Sequence, residues 1–510
     1  MYRNVFWKSR EKCIALRTWD KEGKRISIDV PYKPYLYIKD ERGTHKSIFG
    51  DKLVKKQFNN LFDRNSFLND YKNIVFENFD VENQFLLDLF YDKSDKSDFT
   101  KNPLRILMFD IEVDPIPDGS FPKPEMALAE INIITVYDSL LQRYKVFSKN
   151  EYTGNGLIDK ADFVYCKNEE GVLLAFLDLW RSNDYPDIVT AWNLNGFDME
   201  YVSNRMIKIL GVDYFNSLSP YGIIRKKTID KNFKTYTKYD IAGVTVLDML
   251  DVYQKFKIVK QESYKLDFIA NMELGVGKID YGGLTIYEFM EKDWNKFVEY
   301  NVRDVELMVR LEKKTNYFRI LRMICNIGCI NYEDGLGTIK LVNSAIDVIA
   351  RRRGQYLPYY REKSVQGEKP GGFVMSNSGI HKDVVTFDAG SLYPNLIITC
   401  NISLETKVGV ARFGDSINFF DNLEDGEATF TLTSGKVIKT TKKAIYDMIR
   451  LKEFIICPNG CVFRQDFRGI FPEFMQTNYS NRQNVKKRIK ENNKEIEKCE
   501  KEIEELKKLL

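Results

Sequence analysis

The chain has 510 residues, 44% of them hydrophobic, and its formal net charge at pH 7 is only +4. This length exceeds what a single hydrophobic core organises, so we expect three or more domains. The small net charge excludes a strongly basic tail, and any nucleic-acid binding must come from local patches. Eight cysteines, without a signal peptide or a long apolar run, predict a reduced cytoplasmic protein that makes no membrane contact.

Two cysteine pairs share one spacing, Cys325 with Cys329 and Cys457 with Cys461. The chain has only two histidines and no shorter Cys-x-x-Cys pair, so a zinc site is a weak hypothesis. Buried thiols and a Pro-Asn-Gly turn account for these cysteines more simply.

The amino-terminal residues 1–104 alternate short β-like runs with charged turns and carry no cluster of carboxylates. They predict a small mixed domain with a structural or binding role. At "KNPLRILMFDIEVD" a buried strand opens an α/β region, which we expect to span residues 105–315.

Within that region, residues 224–243 are basic and aromatic, with the alternation of a protruding hairpin. Cations and rings of this kind bind phosphates and stack on bases, although an ordinary exposed hairpin is nearly as good an interpretation. The candidate DNA-binding residues here are Arg225, Lys226, Lys227 and Phe233, with Tyr236 and Tyr239 as further rings.

Beyond residue 315, apolar residues at helical spacing predict an amphipathic helix over 338–357, and we expect 316–360 to pack back on the amino-terminal domain. The Gly-rich residues 368–374 predict a linker to a buried strand that carries Asp388. The last segment, from Arg482 onward, has apolar residues seven apart and neither Gly nor Pro, which predicts a long helix with one apolar seam. Such a seam needs a partner helix.

Three pairs of polar residues lie within the α/β region expected over 105–315. Asp110 and Glu112 are two apart on a strand, so both leave the same face, and two such acids repel unless a cation lies between them. A surface strand with these residues is common, so the pair alone is weak evidence. Further on, Asn193 and Asp198 flank an Asn-Gly turn, while Tyr300 and Asp304 are one helical turn apart, where a capping Asp or a solvated face is the plain alternative.

Taken in order, D-x-E, N-x3-F-D and Y-x3-D resemble the three exonuclease motifs of the 3′–5′ proofreading domain in family B DNA polymerases. The resemblance implies a ribonuclease H-like exonuclease domain whose substrate is DNA. It also implies residue roles: two Mg²⁺ (or Mn²⁺) ions on carboxylates, a water oriented by a tyrosine, and DNA contacts. The carboxylates are Asp110, Glu112, Asp198 and Asp304, the tyrosine is Tyr300, and the DNA contacts are Asn193 and Phe197.

The segment "FDAGSLYPN" (387–395) resembles the first polymerase motif of the same family. By that resemblance Asp388 binds the catalytic metals, while Leu392 and Tyr393 lie against the incoming nucleotide. Asn395 departs from the family's usual Ser. Two further stretches, "CPNGCVF" and "RGIFPEFM", resemble segments at the entry to the fingers, and Arg482 with Lys486 on the following helix would face a triphosphate.

The resemblance therefore implies an α/β multidomain chain with a partial α+β palm at 361–470 and a first fingers helix at 471–510. No K-x-x-x-N-S-x-Y-G or D-T-D follows, and one aspartate cannot hold the two cations that nucleotide transfer requires. We interpret the chain as the amino-terminal part of a split or truncated replicative polymerase. It would degrade single-stranded DNA alone, and extend a primer-template with dNTPs only beside a carboxy-terminal partner chain, through which a sliding clamp could act. If the source is viral, the location is the host cytoplasm.

Two other hypotheses stay open. The chain is a stand-alone 3′–5′ exonuclease or nucleic-acid-binding factor with a vestigial polymerase tail, or it is a non-enzymatic regulator that binds RNA through its amino-terminal domain. Retention of Asp388, Tyr393, Arg482 and Lys486 argues against the first, and scattered charge in residues 1–100 makes the second unspecific.

Overall fold

The structure is a computed structural model that describes residues 1–77, 79–93, 101–116, 122–231, 234–359, 374–413, 426–451 and 454–509. Two compact units make up the chain. The first comprises Met1–Leu36, Lys56–Tyr71 and Asn78–Val348, and the second comprises Tyr37–Lys55, Lys72–Glu77 and Ile349–Leu510.

The strands are numbered in chain order: β1 (Tyr2–Lys8), β2 (Cys13–Trp19), β3 (Arg25–Pro31), β4 (Tyr35–Lys39), β5 (His45–Ser47), β6 (Lys52–Gln57), β7 (Val75–Phe76), β8 (Ile106–Val113), β9 (Ile131–Asp138), β10 (Arg143–Ser148), β11 (Ala161–Tyr165), β12 (Ile188–Thr190), β13 (Ile224–Lys231), β14 (Lys234–Ile241), β15 (Thr245–Val246), β16 (Gln355–Tyr356), β17 (Lys407–Arg412), β18 (Glu427–Leu432), β19 (Val437–Thr441), β20 (Phe454–Ile456) and β21 (Cys461–Arg464).

The helices follow the same order: α1 (Leu61–Asp70), α2 (Val81–Phe90), α3 (Glu169–Arg181), α4 (Asp198–Ile209), α5 (Val212–Asn216), α6 (Met249–Phe256), α7 (Leu266–Leu274), α8 (Ile286–Lys292), α9 (Trp294–Thr315), α10 (Tyr317–Gly328), α11 (Thr338–Arg352), α12 (Leu392–Thr399), α13 (Lys442–Arg450) and α14 (Ile470–Leu509). Short 3₁₀ turns occupy Lys72–Ile74 and Tyr332–Leu336.

The first unit is organised around a six-stranded sheet in the order β11-β10-β9-β8-β12-β15. Strand β8 runs antiparallel to β9 and parallel to β12. Both faces are covered, because Ile134 packs in one core with Phe176 of α3, and its neighbour Ile133 packs in another with Val298 of α9. Every residue of β9 is buried, as the pattern of a central strand requires.

A smaller sheet, β1-β2-β3, lies in the same unit. The hydroxyl of Tyr2 on β1 donates to the carbonyl of Cys325 at 3.2 Å, and the Tyr332 hydroxyl donates to the Tyr2 carbonyl at 2.7 Å. Residues after α9 therefore pack on the amino-terminal strands within this unit.

Strands β13 and β14 pair antiparallel from Ile224–Ile241 to Lys231–Lys234, which confirms the predicted hairpin. Phe233 lies outside the described residues.

The strands of the second unit belong to two five-stranded sheets, in the orders β16-β5-β6-β4-β7 and β19-β18-β17-β21-β20. The latter packs Phe430 and Val462 against Ile445 of α13. The carboxylate of Glu405 accepts the backbone N–H of Ile470 at 2.5 Å, so a side chain from another part of the unit satisfies an N–H that the first turn of α14 leaves open.

Of two sequence predictions for residues 338–389, one was wrong in part and the other was wrong. The helix predicted over 338–357 ends at Arg352, because Gly354 adopts a positive φ of +66° and the chain continues as β16. The predicted buried strand before Asp388 does not form: residues 384–389 are irregular, and Asp388 is exposed. No described strand pairs with this stretch, and the side chain of Phe387 is 92% exposed, so an apolar run alone does not make a strand. The linker predicted over 368–374 lies outside the described residues except for Val374.

Candidate active site

Two elements bring three of the predicted carboxylates together. Asp110 and Glu112 leave the same face of β8, as their spacing predicts, and Asp304 projects from α9, which packs on that strand. One ligand oxygen from each residue lies within 4.8 Å of the other two. Such an oxygen set is the kind that Mg²⁺ or Mn²⁺ prefers.

The fourth predicted carboxylate, Asp198, lies beside this group and outside the 4.8 Å set. It is the first residue of α4 and only 4% exposed. Burial raises its pKa well above the ordinary range, and so does the charge of Asp110, while a hydrogen bond from the backbone N–H of Ile111 opposes the rise. The carboxylate is therefore close enough to Asp110 for their charges to interact.

The negative charges of this site are costly without a cation. Burial, followed by the charge of Asp304, raises the pKa of Asp110, and burial, Asp110 and Asp304 raise the pKa of Glu112 well above its ordinary value. Carboxylates that share a buried site resist ionisation together. A bound divalent cation removes that penalty, so the electrostatics favour a metal site.

A lysine that the sequence did not single out provides part of the missing positive charge. The Nζ of Lys278 lies 2.6 Å from Oδ2 of Asp304 and donates to the hydroxyl of Tyr300 at 3.0 Å. Burial lowers the pKa of Lys278, but the charge of Asp304 and the nearby Tyr300 raise it by more. The pKa is therefore raised overall, and the ammonium keeps its proton. Lys278 belongs to no recognisable pattern, and only its position in the fold reveals it.

Tyr300 is buried, and burial followed by the Asp304 charge raises the pKa of its hydroxyl. The hydroxyl therefore stays protonated at neutral pH. As predicted, Tyr300 and Asp304 share one face of the helix, and Lys278 contacts both side chains.

Asn301, the residue after that tyrosine, was also missed. Its side chain is fully buried, and Nδ2 donates to Oδ2 of Asp110 at 2.7 Å. Among the described residues, Oδ1 of Asn301 and Oδ1 of Asp304 are buried and have no hydrogen-bond partner. Unpaired oxygens next to a carboxylate group are what a cation with hard-oxygen ligands would satisfy, so the residues present fit a divalent metal.

The loop between β12 and α4 lies at a polar cleft of about 410 Å³. Asn193 is exposed and adopts a positive φ of +67°, a conformation that Asn tolerates better than most residues. Gly196 packs closely under the Asn193 side chain, since a Cβ at this position would lie 2.5 Å from Oδ1 of Asn193 and would move that side chain. Phe197 is half-buried, with its ring centroid 5.1 Å from that of Tyr201. The cleft is lined by Pro124, Glu125, Asn193, Asn195, Gly196, Glu200 and Tyr236.

The three basic candidates of the hairpin are exposed on β13. The Arg225 guanidinium lies 5.5 Å from the ring centroid of Phe6, and Nζ of Lys227 lies 3.0 Å from Oδ2 of Asp240. The Nζ of Lys226 lies 5.3 Å from the ring of Tyr239. These cations therefore have neighbours within the protein while their side chains still reach solvent.

Tyr239 does not offer a face to bases, so that expectation was wrong. Its side chain is 1% exposed and packs in the core with Phe215, because alternate residues of β14 point inward. Tyr236 is half-buried and lines the polar cleft.

The second unit brings together two of the predicted nucleotide-binding segments. Nη1 of Arg482 on α14 lies 3.2 Å from Oγ of Ser391, in the segment that also carries Asp388. Leu392 is 48% and Tyr393 75% exposed, and the side chain of Lys486, one turn beyond Arg482, is exposed too. In the place of the family's Ser, Asn395 donates its Nδ2 to the Gly390 carbonyl at 2.9 Å and so stabilises the turn.

Comparison with known proteins supports the resemblance seen in the motifs. Residues 68–269 match the exonuclease domain of DNA polymerase family B, and residues 339–506 match DNA polymerase family B itself. The chain belongs to DNA polymerase family B. It is 31% identical over 438 residues to the DNA-directed DNA polymerase of Escherichia phage RB69. The matched region covers 79% of this chain and 48% of the phage polymerase.

Two further relatives extend the comparison. The DNA-directed DNA polymerase of Enterobacteria phage T4 is 28% identical over 422 residues, 78% of this chain and 46% of its own. The DNA polymerase catalytic subunit of human herpesvirus 6A is 29% identical over 278 residues, 50% of this chain and 26% of its own. The family B chain described here thus spans about half the length of the phage polymerases it matches. Within its described residues, no helix is both long and apolar enough to cross a bilayer.

Proposed function

We propose that this family B chain is a 3′–5′ exonuclease that removes nucleotides from single-stranded DNA. The observation that carries the proposal is the close approach of Asp110, Glu112 and Asp304, from a strand and a helix far apart in sequence. With Asp198 as the fourth ligand, the set would hold two divalent cations, Mg²⁺ or Mn²⁺.

Such cations, when bound, would activate water and stabilise the departing 3′ oxygen. The chain's own residues prepare the site. Asn301 fixes the orientation of Asp110 through the 2.7 Å hydrogen bond from its amide. Lys278 balances part of the carboxylate charge through its contact with Asp304 and also contacts the hydroxyl of Tyr300, and that protonated hydroxyl would orient the attacking water. No covalent nucleophile is required.

The 3′ end would enter along the polar cleft. Asn193 is exposed at that cleft and Phe197 follows in the same loop, so both would contact the terminal nucleotides. The exposed cations Arg225, Lys226 and Lys227 would bind phosphates of the same strand, and Phe233 stays a candidate base-stacking residue.

DNA synthesis is the second activity that family membership favours. Asp388 would hold the polymerase metals, and Leu392 and Tyr393 would lie against the nucleotide. The contact between Arg482 and Ser391 supports a triphosphate site that includes Lys486. A site of this kind needs a further carboxylate, so we propose that synthesis on a primer-template with dNTPs requires a carboxy-terminal polymerase segment, on this polypeptide or a partner chain. A sliding clamp would act through that segment, and a cytoplasmic location, in the host cell if the source is viral, fits both activities.

Two assays test these proposals. The 510-residue chain is incubated with a 5′-labelled single strand and Mg²⁺, and a ladder of products shortened from the 3′ end is expected. Primer extension is then measured with dNTPs, with and without a segment that carries the remaining polymerase carboxylate. Extension only in the presence of that segment supports the second proposal, and extension without it contradicts the need for a further carboxylate. Degradation with no synthesis under either condition favours a stand-alone exonuclease.

A further inference from the structure

Asp248, the N-cap of α6, lies beside the loop that leads into Asp198. Its side chain is buried, with the residue 5% exposed. Oδ1 accepts the backbone N–H of Asn193 at 3.1 Å, and Oδ2 accepts that of Asn195 at 3.0 Å. Oδ1 also accepts the N–H of Leu250 at 2.9 Å, which is the capping bond. Two of the three hydrogen bonds therefore serve another element and exceed what a helix cap requires.

Strand pairing explains why this carboxylate meets the loop. The N–H of Leu247 donates to Val189 at 3.1 Å and that of Met249 donates to Ala191 at 3.0 Å. The residue between them, Asp248, is thereby held level with the first residues after β12. Hydrogen bonds from backbone N–H groups to an ionised carboxylate are among the stronger ones in proteins, and they offset the cost of burying it.

The loop needs such an anchor because its geometry is demanding. Asn193 adopts a positive φ, and its carbonyl accepts the N–H of Gly196 at 2.9 Å in a tight turn. The N–H of Met199 then donates to the Leu194 carbonyl at 3.2 Å, which ties the turn to the start of α4. Asp198 lies at that start, so the position of its carboxylate depends on how the loop begins.

We propose that Asp248 is a positioning residue of the exonuclease: it fixes the loop so that Asn193 faces the cleft and Asp198 stays beside Asp110. The inference rests on the proposed exonuclease function. Asp248 touches neither the cleft nor the three grouped carboxylates, and it acts through the two backbone N–H groups it holds. Loss of these hydrogen bonds would let the loop change conformation, which would weaken both the binding of metal and the binding of the DNA 3′ end.

The test compares Asp248→Asn with Asn168→Ala. The asparagine is isosteric with aspartate but cannot accept on both sides, so at least one hydrogen bond is lost. Asn168 caps α3 in the same unit through a 2.9 Å bond from the N–H of Gly171, and its removal controls for the loss of a helix cap. Mn²⁺ affinity by calorimetry, single-strand degradation kinetics and melting temperature are measured for the wild type and both variants.

The expected result for Asp248→Asn is a loss of roughly 10- to 100-fold in Mn²⁺ affinity and in kcat, the range typical of groups that orient metal ligands. Raising the Mn²⁺ concentration should recover part of the lost rate, and because Mn²⁺ also stabilises any folded variant that binds it, the melting temperatures measured alongside show how much of the loss is instability. Asn168→Ala should keep the wild-type Mn²⁺ affinity and kcat, even though its melting temperature falls as much as that of Asp248→Asn or more.

Wild-type Mn²⁺ affinity and kcat in Asp248→Asn would overturn the proposal, and so would losses no larger than those of Asn168→Ala. If the wild type binds Mn²⁺ but does not degrade DNA, the proposed function fails, and the affinity comparison still decides whether Asp248 holds the site. A wild type that binds no Mn²⁺ overturns both. Should Asp248→Asn not fold, Asp248→Glu, which keeps both oxygens, replaces it, with the same expected loss through misplacement and the same contradicting outcome.

Discussion

Lys278 and Asp304 form a partly buried ion pair beside the other carboxylates, with Nζ 2.6 Å from Oδ2. The lysine side chain is 29% exposed and the aspartate 4%, so the pair lies at the boundary of the core. A cation here reduces the repulsion among Asp110, Glu112 and Asp304 before any metal binds. The geometry thus shows how the chain folds with three acids so close together.

Replacing Lys278 with Met should therefore destabilise the protein most when metal is absent. We expect a loss of about 1–2 kcal/mol in the free energy of unfolding in EDTA, because Asp304 keeps its burial but loses its cation. In Mn²⁺ the loss should shrink, since divalent cations replace the missing charge. Urea unfolding under both conditions measures this difference.

The matched control for that change is Lys296→Met, on the same helix as Asp304. Lys296 is 65% exposed and 3.9 Å from Asp293, so its removal should cost less than ~0.5 kcal/mol in either condition. Equal destabilisation by Lys278→Met in EDTA and in Mn²⁺ would show that Lys278 packs the fold rather than balances the site.

Tyr300→Phe separates orientation of water from packing. The ring packs in the core with Phe297 and Phe289, and phenylalanine keeps these contacts while losing the hydroxyl that Lys278 contacts. Turnover on single-stranded DNA should fall roughly 10-fold or more, with an unfolding free energy within ~1 kcal/mol of wild type. Normal turnover with a large fall in melting temperature would assign Tyr300 to packing alone.

Glu312, at the end of α9, makes stability depend on pH. Its Oε1 accepts the N–H of Phe318 at 3.2 Å. Burial raises the pKa of Glu312 from 4.5 to about 7, although backbone hydrogen bonds from Phe318, Tyr317 and Arg319 lower it. The unfolded chain releases this proton near the ordinary pKa, whereas the folded chain holds it until about pH 7. Stability from this group is therefore full at low pH and is lost as pH rises from about 4.5 to about 7.

Glu312→Gln cannot titrate and keeps an acceptor for Phe318. The difference in unfolding free energy between the variant and the wild type should grow by ~1 kcal/mol in favour of the variant when the pH is raised from about 5 to about 8. This is less than the full pKa shift implies, because the side chain is partly exposed. Urea unfolding at the two pH values measures it. A gap that is the same at both would contradict the raised pKa of Glu312.

The seam of α14 predicts where a partner helix binds. Val485, Ile489, Ile496, Ile503 and Leu506 are all more than half exposed, at heptad spacing on one face, and Leu510 lies outside the described residues. We expect an antiparallel helix of the carboxy-terminal polymerase segment to cover it. Ile496→Asp with Ile503→Asp should abolish synthesis that depends on that segment and leave the exonuclease unchanged.

Lys494→Asp with Lys501→Asp introduces the same residues on the opposite face of α14 and serves as the control. This pair should retain most of the synthesis. Synthesis that survives the seam double variant would show that α14 is not the joint to the remaining polymerase segment.

The sequence predicted those parts of the site that follow local rules. Asp110 and Glu112 leave one face because side chains alternate along a strand, and Tyr300 and Asp304 share a helical face because they are one turn apart. The sequence could not predict the roles of Lys278, Asn301 and Asp248, because each role depends on a residue 22 or more positions away. For Asn301 that residue is Asp110, which only the packing of α9 on β8 brings near.

The second unit shows the opposite error. The run that precedes Asp388 has the composition of a buried strand, yet Val384, Val385 and Phe387 are at least 70% exposed. A strand depends on a neighbouring strand for its hydrogen bonds, and composition does not report whether one is present. The hairpin of β13 and β14 was predictable because it supplies its own neighbour.

The most direct test of the account is exonuclease activity in Asp110→Asn with Glu112→Gln, which keeps side-chain shape and removes two negative charges. A 5′-labelled single strand is incubated with Mg²⁺, and melting temperature and DNA binding are measured alongside. We predict that the wild type shortens the strand stepwise from its 3′ end, that EDTA stops it, and that the folded double variant binds DNA but degrades it at least ~1000-fold more slowly. Wild-type degradation by the double variant, or undiminished degradation in EDTA, would contradict the assignment of these carboxylates to a metal-dependent exonuclease.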